Sequence, residues 1–262
     1  MISNNNPIGF FDSGVGGTSI LKEVMTLLPY ENTIYLSDSK NAPYGQKTKD
    51  EILALCIKNT EFLLAKNCKI IVVACNTATT NAIDFLREKY AIPFIGIEPA
   101  IKPAALITKT KIIGILATKG TLNSSLFEKT ARSISKDITI KETIGKGLVE
   151  LVEDGKLNSE EMNQLLLQYL NPMIKNDIDS LVLGCTHYPY LIPQIRKIVG
   201  SKIKIIDSGE AVAKQTKAIL EKNNLIKKDA KKASHIIYIN KDKTALKNLI
   251  TNDSIEVIEK DF

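Results

Sequence analysis

Only four cysteines occur in the 262 residues, at positions 56, 68, 75 and 185. None form a CxxC pair or another common zinc spacing, and so few in a chain of this length do not make a disulfide scaffold. They read as free thiols of a reducing compartment. Long apolar runs are missing too. The longest, Ile70 to Cys75, has six residues, against the roughly 20 that a membrane helix needs. Met1 to Pro7 has neither the basic start nor the apolar core of a secretory signal. These absences predict a soluble, cytoplasmic protein without a membrane partner. A strong charge imbalance is also absent. Lys and Arg number 35 and Asp and Glu 29, a net charge of +6 with both signs interleaved, so nucleic acid is not an expected partner. The one basic stretch, Lys227 to Lys232, reads as a solvated loop. No GK[ST] follows a glycine-rich turn, which excludes a P-loop. No lysine stands in a context that marks a pyridoxal phosphate site.

What is present is an ordinary globular balance, 44% hydrophobic and 24% charged, at a length that suits two domains or one large one. Short apolar runs alternate with amphipathic stretches. Strands are expected at Ile8–Phe11, Thr33–Leu36, Ile70–Ala74 and Phe94–Ile97, then at Lys111–Ala117, Ile138–Glu142, Ser180–Leu183 and Lys204–Ile206. Helices are expected over Thr18–Leu28, Asp50–Lys66, Ala78–Tyr90 and Asn158–Ile174, the last with Asn158 and Glu161 as a capping pair. This alternation predicts α/β architecture with mainly parallel sheets. The two halves also repeat. Val73-Ala74-Cys75-Asn76-Thr77 looks like Leu183-Gly184-Cys185-Thr186-His187, and an acidic residue ends the strand after each, Glu98 and Asp207. Two pseudo-symmetric domains are therefore expected, residues 1–97 plus 208–262 and residues 98–207. Pro99 and Pro103 disfavour a helix at the first crossing. The tail, with a strand at His235–Ile239, has no symmetric partner and is expected to pack on the first domain.

Ligands of parallel α/β sheets bind at the carboxyl ends of strands. Asp12, Asp38, Cys75, Glu98, Cys185 and Asp207 all sit at such ends. Cys56 and Cys68 read as packing residues. Cys75 and Cys185 each end a strand and are expected to lie against helical N–H groups, where a thiol can serve as acid or base. Asn76-Thr77 and Thr186-His187 follow the two cysteines and can hold a carboxylate without a metal. His187 can exchange a proton with Cys185. Asp12-Ser13-Gly14-Val15-Gly16-Gly17 fails the GxGxxG register at Ser19 and reads as a turn whose N–H groups face a small anion. Asn41-Ala42-Pro43-Tyr44-Gly45 forms a turn toward the same face. His235 reads as structural.

These residues resemble the glutamate racemases of the aspartate/glutamate racemase superfamily. The resemblance rests on Phe11-Asp12-Ser13-Gly14-Val15-Gly16-Gly17, Pro43-Tyr44-Gly45, Ala74-Cys75-Asn76-Thr77-Ala78-Thr79, Gly96-Ile97-Glu98-Pro99 and Leu183-Gly184-Cys185-Thr186-His187-Tyr188-Pro189, in family order. It departs at Thr18, where Leu is common, and at Glu150, where Pro is common. It implies two α/β domains facing each other across a central cleft, and cofactor-independent interconversion of L- and D-glutamate for peptidoglycan synthesis by a cytoplasmic homodimer. Cys75 and Cys185 would act on opposite faces of the substrate, Cys75 on the D isomer and Cys185 on the L isomer. Asp12, His187 and Glu153 would be auxiliary acid/base groups. Asp12, Ser13, Pro43, Tyr44, Gly45, Asn76, Thr77, Thr186 and His187 would bind substrate, with no metal and no cofactor. Three alternatives stay open at this point: a racemase for aspartate, a phosphate- or nucleotide-binding module built on the glycine turn, and a zinc protein using Cys75, Cys185, His187 and Asp12.

Overall fold

Strands buried on both sheet faces read as unbroken apolar runs, and that is how the sheets of this chain are built. A computed structural model describes residues 3–134, 136–229, 231–250, 252 and 254–262. Met1 and Ile2 of the N-terminal stretch and Ala230 of the basic loop lie outside the described residues. Ten strands are described: β1 (Ile8–Asp12), β2 (Thr33–Ser37), β3 (Ile70–Val73), β4 (Phe94–Gly96), β5 (Ile112–Ala117), β6 (Thr139–Ile144), β7 (Ser180–Gly184), β8 (Lys204–Ile206), β9 (His235–Ile239) and β10 (Ile255–Glu259). They form two sheets, ordered β10-β9-β2-β1-β3-β4 and β6-β5-β7-β8. Every pairing is parallel. Counted from the start of each half, β2-β1-β3-β4 and β6-β5-β7-β8 are the same arrangement, so the repeat seen in sequence is a repeat of topology.

That order reverses direction between β1 and β3, and again between β5 and β7. Such switch points are where the crevice of an open parallel sheet lies. Phe11 pairs with Val73, and the Ala74 N–H donates to the Phe11 carbonyl at 2.8 Å. Asp12 and Cys75 therefore leave the first sheet at one edge. Leu116 and Ala117 pair with Leu183 and Gly184, which puts Thr118 and Cys185 at the matching edge of the second sheet.

The alternation of side chains sets the cores. Phe10, Val72 and Ala74 of the first sheet and Leu116, Leu181 and Leu183 of the second share one buried cluster. Phe11, Ile71 and Val73 face a second cluster, and Ile113, Ile115 and Val182 a third. The two sheets are thus joined through a common core.

Several expectations need correction. Pro103 lies inside the helix Ile101–Ile107. It occupies the first turn, where the missing N–H has no intrahelical acceptor to lose. Ser159, not Asn158, caps the helix Glu160–Lys175, its hydroxyl accepting from Met162 N–H. The helix Lys49–Ala65 starts one residue early on a capping box between Thr48 and Glu51. β6 runs to Ile144. β10 is not marked in the sequence, because Glu256 and Glu259, on opposite faces of this edge strand, interrupt its apolar run. The tail packs on the first sheet, with Thr33 to Ser37 pairing along His235 to Ile239.

Candidate active site

β1 ends on Asp12, which is wholly buried. The chain turns sharply after it, and one Asp12 carboxylate oxygen accepts the Gly17 N–H at 2.6 Å and the Thr186 hydroxyl at 3.3 Å. Burial raises the Asp12 carboxyl above its ordinary pKa, against the opposing pull of His187 and the Gly17 N–H. Beside it, Cys75 caps the helix Asn76–Lys89, its sulfur accepting from Ala78 N–H at 3.4 Å. The Cys75 thiol donates to the Ser13 hydroxyl at 3.7 Å. Burial pushes its pKa well up, and the Asp12 charge pushes it further. Cys75 at rest is therefore a protonated thiol.

Cys185 differs from this pattern. It was expected to face helical N–H groups as Cys75 does, but Pro189 and Pro193 delay the helix, which starts only at Ile192. The sulfur lies instead 3.7 Å from His187 Nδ1. His187 is buried, and its Nε2 is 2.6 Å from Glu153 Oε1. Burial depresses the imidazole pKa, but Cys185 and Glu153 outweigh it and raise His187 well above its ordinary value. These neighbours favour the protonated ring. Each thiol thus has its own titratable neighbour, Asp12 for Cys75 and His187 for Cys185.

Glu153 ties the two halves together. Besides His187 it accepts the Val15 N–H at 2.7 Å and the Ser39 hydroxyl at 2.7 Å, both from the first half. This corrects the reading of the glycine turn. The anions its N–H groups hold are the chain's own carboxylates, Glu153 at Val15 and Asp12 at Gly17. A Cβ on Gly14 would lie 1.9 Å from Glu153 Oε1, and one on Gly16 would lie 2.2 Å from His187 Nδ1. Gly14 and Gly16 serve close approach between halves, and the Val15 and Gly17 N–H groups are already taken.

One narrow cavity is lined by Cys75 and Cys185 together, with Ser13, Tyr44, Asn76 and Thr186. Pro43, Gly45, Thr77 and His187 complete the set expected from sequence, while Asp12 and Glu153 stand behind this lining. Sequence reasoning missed Thr118 and Val149, which also line it. Thr118 matches Asp12 in the repeat, and that was its available signal; Val149 carried none. Thr118 Oγ1 lies 2.8 Å from Thr77 Oγ1, across the two halves. Both amide atoms of Asn76 are buried without a hydrogen-bond partner, a costly arrangement unless a ligand supplies one.

The other strand-end acids do not converge here. Asp38 accepts from Tyr44 at 2.5 Å and from Asn41 and Asn240, and so holds the Pro43-Tyr44-Gly45 turn from behind. Glu98 and Asp207 are exposed at the crossings, where Asp207 accepts the Gly209 N–H. Cys56 and Cys68 are buried in the core, with the Cys68 thiol pushed up to about 12 by burial. His235 pairs with Thr33 at 2.9 Å. Among the described residues, no three of His, Cys, Asp and Glu are grouped to hold a metal ion. Among them, too, no helix is long and apolar enough to cross a membrane.

The sequence pattern described as Asp/Glu/Hydantoin racemase matches residues 18–216. A glutamate racemase of Herpetosiphon aurantiacus is 44% identical over 222 residues, 85% of this chain and 87% of that protein. Among solved structures, the glutamate racemase isoform RacE1 of Bacillus anthracis superposes with a TM-score of 0.88 at 31% identity, covering 98% of both chains. The glutamate racemase of Francisella tularensis in complex with D-glutamate gives a TM-score of 0.83 at 28% identity, again covering 98% of both.

Proposed function

The chain belongs to the Asp/Glu/Hydantoin racemase family, and from that premise we propose that it interconverts L- and D-glutamate with two thiols and no cofactor. The observation that carries the reading is the pair Cys75 and Cys185. They stand at equivalent edges of two sheets, line one cavity, and have different proton partners.

With L-glutamate bound, Cys185 as thiolate removes the α-proton and becomes a thiol, with the His187 ring 3.7 Å away to stabilise the thiolate before the transfer. The carbanion then takes a proton from the Cys75 thiol on its other face, leaving a Cys75 thiolate beside Asp12 and Ser13. D-glutamate runs the same path backwards. The resting state, with a neutral Cys75 thiol and an imidazolium at Cys185, is ready for the L isomer. An α-proton beside a carboxylate is a very weak acid, so fixed donors must stabilise the developing charge. The N–H groups at the start of the helix Asn76–Lys89, the free Asn76 amide and the Thr77 and Thr186 hydroxyls are the groups available. Asp12, Ser13, Pro43, Tyr44, Gly45, Asn76, Thr77, Thr186 and His187 form the proposed binding set.

The cavity has room for about one water. Glutamate therefore enters by separation of the halves, which we divide into 1–97 plus 208–262 and 98–207, with the crossings as hinges. A cytoplasmic homodimer supplying D-glutamate for peptidoglycan is the cellular setting this reading implies.

The test is to incubate chelator-treated protein with L-glutamate, without added cofactor, and follow circular dichroism. Decay to zero supports the proposal. A constant signal from folded, reduced protein overturns it, and decay with aspartate alone would select the aspartate alternative.

A further inference from the structure

Outside the two-thiol cavity lies an open vestibule of about 680 Å³. Pro43, Gly45, Thr118 and Val149 line both spaces, so the vestibule is the antechamber of the inner cavity. Its walls come from both halves. Lys47 and Lys49 stand on the first, and Lys119 and Lys146 on the second. Lys49, Lys119 and Lys146 are exposed and Lys47 is half-buried. None of the four takes part in an ion pair among the described residues. The single carboxylate on the wall is Glu150, and its Oε1 accepts the Gln46 amide across the mouth at 2.6 Å. Four lysines against one carboxylate give the wall a net charge of 4 − 1 = +3 beside the inner cavity.

We propose that Lys47, Lys49, Lys119 and Lys146 make this vestibule an encounter subsite for an anionic amino acid, drawing the substrate in before the halves open. The inference rests on the racemase reading above. Glutamate carries two carboxylates and one ammonium, a net charge of −1 at neutral pH. A concave wall with an excess of positive charge raises the local concentration of such an ion. The effect is screened once the Debye length, about 10 Å at 0.1 M salt, shrinks below the width of the mouth. None of the four lysines lines the inner cavity that holds the two sulfurs, so they act on capture and not on the proton transfers. Neutral lysine replacements should therefore raise KM.

The experiment measures kcat/KM for L-glutamate from low to roughly 0.5 M potassium chloride. It compares wild-type protein with the triple variant Lys47→Gln/Lys119→Gln/Lys146→Gln and the single reversal Lys146→Glu. Circular dichroism and melting temperature confirm that each is folded. The triple variant is expected to lose about 3- to 10-fold in kcat/KM at low salt, through KM, and to show a flatter salt dependence. Lys146→Glu should fall in the same direction. Equal salt slopes in wild type and triple variant would overturn the proposal, as would a loss carried by kcat alone. Absence of racemisation in wild-type protein is a separate outcome and would overturn the racemase reading itself.

Discussion

Glu153→Gln tests the bridge that joins the glycine turn to His187. The wild-type carboxylate is nearly buried and accepts from Val15 N–H, the Ser39 hydroxyl and His187 Nε2 at 2.6–2.7 Å. Glutamine keeps the shape. Its oxygen can take the Oε1 place, and its NH2 can donate to Ser39. What disappears is the charge opposite the imidazolium. A hydrogen bond to a charged group contributes about 1.5–3 kcal/mol, so Glu153→Gln should lower the melting temperature by about 3–12 °C at about 2–4 °C per kcal/mol. Glu153→Ala strands all three donors and removes one partner of a buried pair, at about 3–5 kcal/mol. The pH dependence supplies the sign. His187 is raised in the folded state. Its pairing therefore stabilises fully below the unfolded histidine value of about 6.5 and is lost as pH rises through the raised folded value. The gap between wild type and Glu153→Gln should be widest near pH 6 and close toward alkaline pH. Thermal unfolding from about pH 6 to 10, with the His187 ring protons followed by NMR, measures both effects. A gap that is flat with pH, or a His187 titration unchanged in the variant, would refute the reasoning.

Gly16→Ala places a methyl 2.2 Å from His187 Nδ1, and overpacking of this kind costs about 1–3 kcal/mol. Racemisation should fall far more than stability, because the ring facing Cys185 is what must move; paired melting and rate measurements decide. Asn76→Ala removes two unpartnered buried polar atoms. Its melting temperature should hold or rise, by about 1 kcal/mol of stability at most, while KM for glutamate increases; a marked loss of stability would mean the amide has a partner in the free protein. Lys69 and Glu31 form a buried ion pair at 2.6 Å, remote from the sulfurs, with Lys69 also donating to the Asn4 carbonyl. Lys69→Met should cost about 3–5 kcal/mol, whereas Lys69→Met/Glu31→Leu should recover much of that in denaturant titrations. No recovery would show that the backbone contacts, and not the charge pair, dominate.

The legible parts of the fold were those where burial on both sides forces a continuous apolar run, as in Ile70–Val73 and Ser180–Gly184. The repeat was legible because the same switch-point chemistry recurs at Cys75 and Cys185. The edge strand Ile255–Glu259 was not, since exposed Glu256 and Glu259 break its run on both faces. The helix over Ile101–Ile107 is hidden by Pro103, a breaker of helix interiors that a first turn tolerates. The glycine turn shows the deeper limit. Its local pattern indicates accessible N–H groups, but the anion that meets Val15 comes from Glu153, 138 residues away. Only tertiary structure reveals that Gly14 and Gly16 make room for Glu153 and His187. Likewise, the unequal surroundings of the two sulfurs follow from Pro189 and Pro193, which delay the helix after Cys185.

The central claim is that two thiols serve opposite faces of one α-carbon, and solvent exchange with single-thiol variants tests it most directly. Cys75→Ala and Cys185→Ala, each shown to be folded, are incubated in D2O with either enantiomer, and the α-proton signal is followed by NMR. Racemisation should fall by about 10²- to 10⁴-fold in both variants. Any residual α-deuterium incorporation should be one-sided, into L-glutamate with Cys75→Ala and into D-glutamate with Cys185→Ala. Racemisation at the wild-type rate by either variant, or exchange of both enantiomers by a single remaining thiol, would contradict the account.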